Sequence, residues 1–296
     1  MIVTIGDSVA WGQGLREHQK FDRLLASARG TELVRLAHSG AILGDAEDAI
    51  TSVSPAEIPV SYPSLWQQVR SVENWDEVDL VLVNGGMNDV DLRRIVNPFV
   101  SPSTLTRLTR RACHTAMTGL LAALAARLTR PEAQILVLGY YPILSHASGY
   151  PSHHHPHALQ RMHGVVGPSL IPDILISREL LIKRAIGHCL QFWKESELAL
   201  RHAVDDANAV LSRRPCRFVP LPFAEGQSLW APESLLFELT PELGPEDEVI
   251  VERTCHCDGL YPVPAHALKH FQCHRASVGH PSVEGAARIA ERLSRA

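Results

Sequence analysis

The segment Met1-Ile2-Val3-Thr4-Ile5-Gly6-Asp7-Ser8 decides the fold. A short apolar run at residues 2–5 ends at a glycine, which is followed by two small polar residues. Short runs of this kind predict strands, and Gly-Asp-Ser is typical of a turn or a helix N-cap. We therefore predict a first strand and then a sharp turn that presents Ser8 at the edge of a sheet.

Apolar runs of similar length recur along the chain and alternate with longer amphipathic stretches. The predicted strands after the first lie at 32–37, 78–84, 134–140 and 216–221, and the predicted helices at about 16–28, 102–128, 178–211 and 282–293. This alternation is typical of a parallel sheet covered by helices on both faces. We expect an α/β fold, a flavodoxin-like three-layer α/β/α sandwich around a mostly parallel five-stranded sheet.

The chain shows no internal repeat and no linker, so we predict one domain over residues 1–296 with insertions at about 142–177 and 222–276. Loops at the carboxyl ends of parallel strands form the ligand crevice in such folds, so substrate preference should depend on these insertions. Their apolar segments either line an acyl site or extend the core; they are 165–166, 170–171, 174–176, 229–230 and 235–237.

Composition limits the possible partners. The 296 residues carry a net charge of −4 at pH 7 and have 45% apolar content, which is ordinary for a globular core. The scattered Lys and Arg residues argue against nucleic-acid binding, and no apolar run approaches the roughly 18 to 20 residues of a membrane span. Because the N-terminus lacks a signal-peptide pattern, we expect a cytoplasmic protein. The oligomeric state is left open.

Six cysteines stand at 113, 189, 216, 255, 257 and 273. They fit neither a small disulfide scaffold nor a Cys-x-x-Cys pair. Either Cys255 or Cys257 is close enough in sequence to bridge to Cys273 in an oxidising compartment. Without a secretion signal we expect buried free thiols instead.

Four short blocks follow one another in a fixed order: Gly6-Asp7-Ser8, Ser39-Gly40, Gly86-Met87-Asn88-Asp89 and His280-Pro281-Ser282. Each stands after a predicted strand or before the last predicted helix. This ordered set resembles the SGNH, or GDSL, hydrolase family over nearly the whole chain. In that family the aspartates at positions 7 and 89 mainly support loop geometry, so we assign them no chemical step.

The resemblance implies a role for each matching residue. Ser8 would attack an acyl carbon, and His280 would act as its general base. The main-chain N–H groups of Ser8 and Gly40 and the side-chain amide of Asn88 would hold the oxyanion. This agrees with elementary chemistry, because a serine hydroxyl needs a base, and a developing negative charge needs aimed donors.

The chain departs from the family pattern three residues before the histidine, where most members have aspartate and this sequence has Ser277. Some members orient the histidine with a main-chain carbonyl, and Ser277 could supply one. Glu252 and Asp258 are the alternatives, since a folded loop could bring either acid to His280.

Two further clusters contain residue types that bind zinc: His153, His154, His155 and His157, and separately Cys255, His256, Cys257, Cys273 and His274. Their spacings match no common structural zinc pattern. We expect no metal site and no cofactor.

The sequence therefore predicts a serine ester hydrolase that cleaves a small-molecule or lipid carboxylic ester through an acyl-enzyme on Ser8. One alternative is a carbohydrate O-deacetylase that uses the same site. Another is a catalytically silent or metal-binding module.

Overall fold

A computed structural model describes residues 1–44, 63–149, 178–211, 213–239 and 247–296. Its centre is a five-stranded parallel sheet with the order β2-β1-β3-β4-β5. The strands are β1 (Ile2–Gly6), β2 (Leu33–Arg35), β3 (Leu80–Asn84), β4 (Gln134–Leu138) and β5 (Cys216–Val219). This is the flavodoxin-like doubly wound order. The predicted α/β fold is confirmed, with strands slightly shorter than the apolar runs.

The described helices are α1 (Ser8–Trp11), α2 (Phe21–Arg29), α3 (Leu65–Arg70), α4 (Met87–Val90), α5 (Leu92–Ile95), α6 (Pro102–Thr109), α7 (Met117–Arg127), α8 (Arg178–Ala209), α9 (Ile250–Leu260), α10 (Ala267–His274) and α11 (Val283–Ser294). A π-helical segment, Arg110–Ala116, joins α6 to α7. Short 3₁₀ turns lie at Glu17–Gln19, Trp75–Glu77 and Glu225–Gln227. The predicted helix at 16–28 is therefore a 3₁₀ turn followed by α2. None of the described helices has the length and apolarity that a bilayer span requires.

The central strands are covered on both faces, and this is why their sequences are apolar throughout and do not alternate. Every residue of β1 and of β3 is buried. A parallel strand between two helical layers has both faces covered, so both sets of side chains favour apolar types. β2 lies at one edge of the sheet and is only half-buried.

The structure describes the apolar segments of only one of the two predicted insertions. Residues 165–176 lie outside the described residues. Leu229 and residues 235–237 are buried in the main core. Of the two predicted roles for these later segments, the structure shows extension of the core. The single-domain assignment stays a prediction, as does the cytoplasmic location.

The cysteine prediction is wrong for one pair. Cys257 on α9 and Cys273 on α10 form a disulfide. The two helices bring the Cα atoms to 5.8 Å, which is within the range that a bridge requires. The sequence separation alone did not show that these two helices pack side by side. Cys255 is an exposed free thiol, and the cysteines at 113, 189 and 216 are buried free thiols, as expected.

Candidate active site

Strand register brings the first and third sequence blocks together. Gly6 at the end of β1 pairs with Asn84 at the end of β3, so the turns that follow the two strands lie side by side. A Cβ on Gly6 would stand 2.6 Å from the carbonyl oxygen of Asn84. Only glycine permits this approach. Ser8 begins α1 directly after this contact.

Asp7 connects the Ser8 turn to the turn after β3. One of its carboxylate oxygens accepts a hydrogen bond from the N–H of Val9 at 2.9 Å, as a helix N-cap. The other accepts from the hydroxyl of Tyr140 at 2.7 Å, and that hydroxyl accepts from the N–H of Met87 at 2.9 Å. Burial raises the pKa of Asp7 to about 6. Asp7 is thus a structural link, and it makes no described contact with the Ser8 hydroxyl.

Asn88 and Asp89 connect the turn after β3 to the turn after β2. The carboxylate of Asp89 accepts a hydrogen bond from the N–H of Leu43 at 2.9 Å. The Asn88 amide nitrogen donates to the carbonyl of Ala41 at 2.9 Å. A primary amide has two N–H groups, so a second donor remains. Gly40, beside Ala41, has a φ of +80°, which favours glycine.

The structure places His280 against Ser8, although the two residues are 272 positions apart in sequence. The His280 Nε2 lies 2.8 Å from the Ser8 Oγ. The Nδ1 lies 3.2 Å from the carbonyl oxygen of Ser277. Because a carbonyl oxygen only accepts, Nδ1 carries the proton, and Nε2 is left to accept from the serine hydroxyl.

The electrostatic setting keeps His280 neutral. Burial is the largest cause, and the positive charge of Arg253 acts in the same direction; together they lower the His280 pKa to about 4. The hydrogen bond to the Ser277 carbonyl opposes this shift. A neutral imidazole is the form that can accept a proton at neutral pH.

Main-chain hydrogen bonds hold the loop that carries His280. The N–H of Phe237 donates to the carbonyl of His280 at 2.8 Å, and the N–H of Gly279 donates to the carbonyl of Phe237 at 2.9 Å. The Tyr141 hydroxyl, just beyond β4, donates to the carbonyl of Gly279 at 2.9 Å. Residues 235–237, which were predicted to line an acyl site or extend the core, therefore also fix this loop.

A buried network that sequence reasoning missed surrounds the side chain of Ser277. Arg253 on α9 forms a two-pronged ion pair with Asp247, with N–O distances of 2.6 and 2.7 Å. Both charged side chains are 0% exposed. The Ser277 hydroxyl donates to the Asp247 carboxylate at 2.6 Å and lies 3.3 Å from the Arg253 guanidinium. No spacing in the sequence signals this arrangement, because Asp247 lies 30 positions before Ser277.

The two acids named as alternative partners of His280 lie elsewhere. Glu252 stands 3.7 Å from the guanidinium of Arg16. Asp258 accepts hydrogen bonds from His270 and His274. Within the described residues, neither acid has a hydrogen bond to His280.

Gly14, which follows α1, lies in close contact with the loop that carries His280. A Cβ on Gly14 would stand 2.7 Å from the Cβ of Ser277 and 2.9 Å from the ring of Phe237. Its φ is +91°. Both observations require glycine, so the chain after α1 is shaped to fit against the histidine loop.

The predicted zinc-type clusters also have different outcomes. The histidines at 153–157 lie outside the described residues. In the second cluster, Cys257 and Cys273 are joined to each other and are not free thiolates. His274 instead meets Asp258 and His270.

No protein-family model and no curated protein matches the chain. Solved structures with a similar fold include a family two carbohydrate esterase from Clostridium thermocellum in complex with cellohexaose (14% identity, TM-score 0.45, 99% of this chain and 62% of that chain). Others are the lipase Lip_vut3 from a goat rumen metagenome (12%, 0.45, 99% and 95%) and an aryl esterase of M. smegmatis (14%, 0.40, 81% and 91%). The chain spans about three fifths of the length of the Clostridium protein. At these identities and TM-scores, the similarity carries no argument about the activity of this chain.

Proposed function

We propose that this protein hydrolyses carboxylic esters through an acyl-enzyme on Ser8. The observation that carries the proposal is the 2.8 Å contact between the Ser8 Oγ and the His280 Nε2. Nucleophile and base within hydrogen-bond reach, with the base oriented by a third group, is the general signature of nucleophilic catalysis. Here the orienting group would be the carbonyl of Ser277, which replaces the acid of a Ser-His-Asp triad.

In the first half of the proposed reaction, the Ser8 oxygen bonds to the ester carbonyl carbon while its proton passes to the Nε2 of His280. The carbonyl oxygen becomes an oxyanion. The N–H groups of Ser8 and Gly40 and the free N–H of the Asn88 amide are the proposed donors to it. One such donor typically contributes about 3–4 kcal/mol of transition-state stabilisation.

The tetrahedral species then collapses. The bond to the leaving oxygen breaks, and the imidazolium of His280 returns its proton to that oxygen, which releases an alcohol. In the second half, a water molecule gives a proton to His280 and adds to the acyl carbon. The Ser8 oxygen leaves with that proton, and a carboxylic acid is released.

A fluorophosphonate probe tests the nucleophile directly, because it labels only an activated serine. We expect labelling at Ser8 with loss of esterase activity, and neither labelling nor activity in Ser8→Ala. Ser71→Ala is the matched control, because Ser71 is an exposed serine at the end of α3. A folded Ser8→Ala protein that turns over ester at the wild-type rate would overturn the proposal.

The acyl group is the open part of the proposal. p-Nitrophenyl esters from acetate to octanoate, assayed beside acetylated xylo-oligosaccharides, separate the possible substrates. We expect hydrolysis of the simple carboxylic esters. Turnover of the acetylated glycans alone would instead show the carbohydrate O-deacetylase.

A further inference from the structure

Three possible metal ligands from two helices converge on one point, away from Ser8. His270 and His274 are four residues apart on α10, so they share one face of that helix. Their Nε2 atoms lie 2.9 and 3.0 Å from a single oxygen, the Oδ1 of Asp258 on α9. The three ligand atoms all lie within 4.8 Å of one another.

The distances suit a small cation with nitrogen ligands. Zinc binds imidazole nitrogen and carboxylate oxygen at about 2.0–2.2 Å, and ligand atoms around a tetrahedral zinc stand roughly 3.3–3.5 Å apart. The two N–O separations of 2.9 and 3.0 Å would therefore open by only a few tenths of an ångström. Imidazole ligands favour zinc over calcium or magnesium, which prefer oxygen.

The scaffold beneath the three side chains is already fixed. The Cys257–Cys273 disulfide joins α9 to α10. Asp258 directly follows the first of these cysteines, and His274 directly follows the second. The separation of the ligand-bearing positions is thus set by a covalent bond. Because the chain is already ordered there, metal binding would cost little conformational entropy.

The exposure of the ligands also fits a cation. The side chains are 23%, 19% and 57% exposed for His270, His274 and Asp258, so one side of the cluster is open to a water ligand.

We propose that Asp258, His270 and His274 form a zinc site that clamps α9 to α10. On binding, the proton of each ring moves from Nε2 to Nδ1 by exchange with solvent, and each Nε2 then donates its lone pair to the metal. The fourth position takes water. The site differs from the cysteine-containing cluster that the sequence suggested, because a disulfide has taken up two of those cysteines.

The test is a titration of the full, oxidised chain with zinc chloride after chelator treatment. Isothermal calorimetry and thermal denaturation with and without zinc are the two readouts. We expect one high-affinity equivalent and a zinc-dependent rise in melting temperature. His270→Gln, His274→Gln and Asp258→Asn should each weaken binding at least tenfold and remove the rise.

Two controls separate this site from adventitious binding. A variant that combines His153→Gln, His154→Gln, His155→Gln and His157→Gln removes the histidine run and should keep the high-affinity equivalent. His202→Gln, a change on α8, should do the same. Loss of the equivalent in the variant without the histidine run, or its survival in all three ligand variants, would overturn the proposal. A chain that takes up no zinc would show that the three side chains only form hydrogen bonds.

Discussion

The two halves of the Ser8–His280 pair are held in place in different ways. On the sheet side, strand register sets the position of Ser8, and short links from Asp7 and Asp89 join neighbouring turns. On the loop side, His280 lies outside the sheet, and a buried ion pair supports its loop through the side chain of Ser277. Main-chain hydrogen bonds act on both sides, and on the loop side a buried ion pair between two side chains is added to them.

This difference shows which side of the pair costs more free energy to hold in place. The strand ladders give the sheet side its geometry through main-chain hydrogen bonds, and the buried carboxylate of Asp7 links neighbouring turns there. The loop side takes two full charges out of water, and a buried pair of this kind often contributes little net stability. Its benefit is then positional, because Asp247 and Arg253 surround the residue whose carbonyl faces the His280 Nδ1. We regard both as positioning residues.

The largest expected effect is that of His280→Ala. Loss of the proposed base should lower kcat/KM by at least about a thousandfold, as it does in serine hydrolases that use a Ser-His pair. The melting temperature should change little, because the loop keeps its main-chain bonds to Phe237. Hydrolysis of p-nitrophenyl acetate and circular dichroism measure the two quantities. A folded variant within tenfold of the wild-type rate would show that His280 is not the base, and the loop side would then have no part in the proposed chemistry.

The next effect is that of Asp247→Asn, which leaves Arg253 as a buried unpaired charge. Breaking a buried pair in this way typically lowers the free energy of unfolding by about 3–5 kcal/mol. Urea denaturation measures this quantity. The kcat/KM should fall by more than in Ser277→Ala, because the unpaired Arg253 charge next to Ser277 should displace the loop that carries the Ser277 carbonyl.

A double variant sharpens the Asp247 result. Replacing both partners, as Asp247→Leu with Arg253→Met, should recover most of the stability because no charge is left unpaired. The kcat should nevertheless stay low if the pair positions the loop. Full recovery of kcat in the double variant would reduce the ion pair to a purely structural role.

On the sheet side, Asp89→Asn keeps an acceptor for the N–H of Leu43. It should lower the free energy of unfolding by only about 1 kcal/mol.

A smaller effect should appear in the pH dependence of kcat/KM. Because the pKa of His280 is lowered to about 4, the base stays neutral as the pH falls through 6.5, where an ordinary histidine would be protonated. Activity should therefore be lost only near pH 4, about tenfold per pH unit below it. A pH series with p-nitrophenyl acetate shows the position of this limb.

Asp7 provides the control for that series, because its pKa is shifted in the opposite direction, to about 6. A fall in kcat/KM near pH 6 that disappears in Asp7→Asn would come from the titration of Asp7 on the sheet side. A limb near pH 6.5 that survives in Asp7→Asn would instead mean that His280 is not desolvated, and the electrostatic part of the comparison would be wrong.

The smallest effect is expected for Ser277→Ala. This change removes the hydroxyl but keeps the carbonyl that faces the Nδ1 of His280. Activity should stay within roughly tenfold, equivalent to less than about 1.4 kcal/mol. Glu252→Gln should leave kcat/KM unchanged, since Glu252 pairs with Arg16 on the surface. A thousandfold loss in a folded Glu252→Gln protein would make that acid the third catalytic group.

Sequence reasoning predicted the sheet side far better than the loop side. The apolar run of β1 and the glycine at its end encode local structure, and local structure determines where Ser8 lies. The pairing of Asp247 with Arg253 and Ser277 depends on how α9 packs, which no local pattern specifies. The disulfide was missed for the same reason. His280 was found only because its place before the last predicted helix completes the ordered set of four blocks.

The 272 positions between Ser8 and His280 also define a time interval. Ribosomes add about 5–20 residues per second from the N-terminus, so roughly 14–54 s pass between the synthesis of the serine and that of its base. During that interval the nascent chain carries the proposed nucleophile without its proposed base. A ribosome that stalls between residues 220 and 279 leaves a chain with the residues of all five strands and without the proposed base.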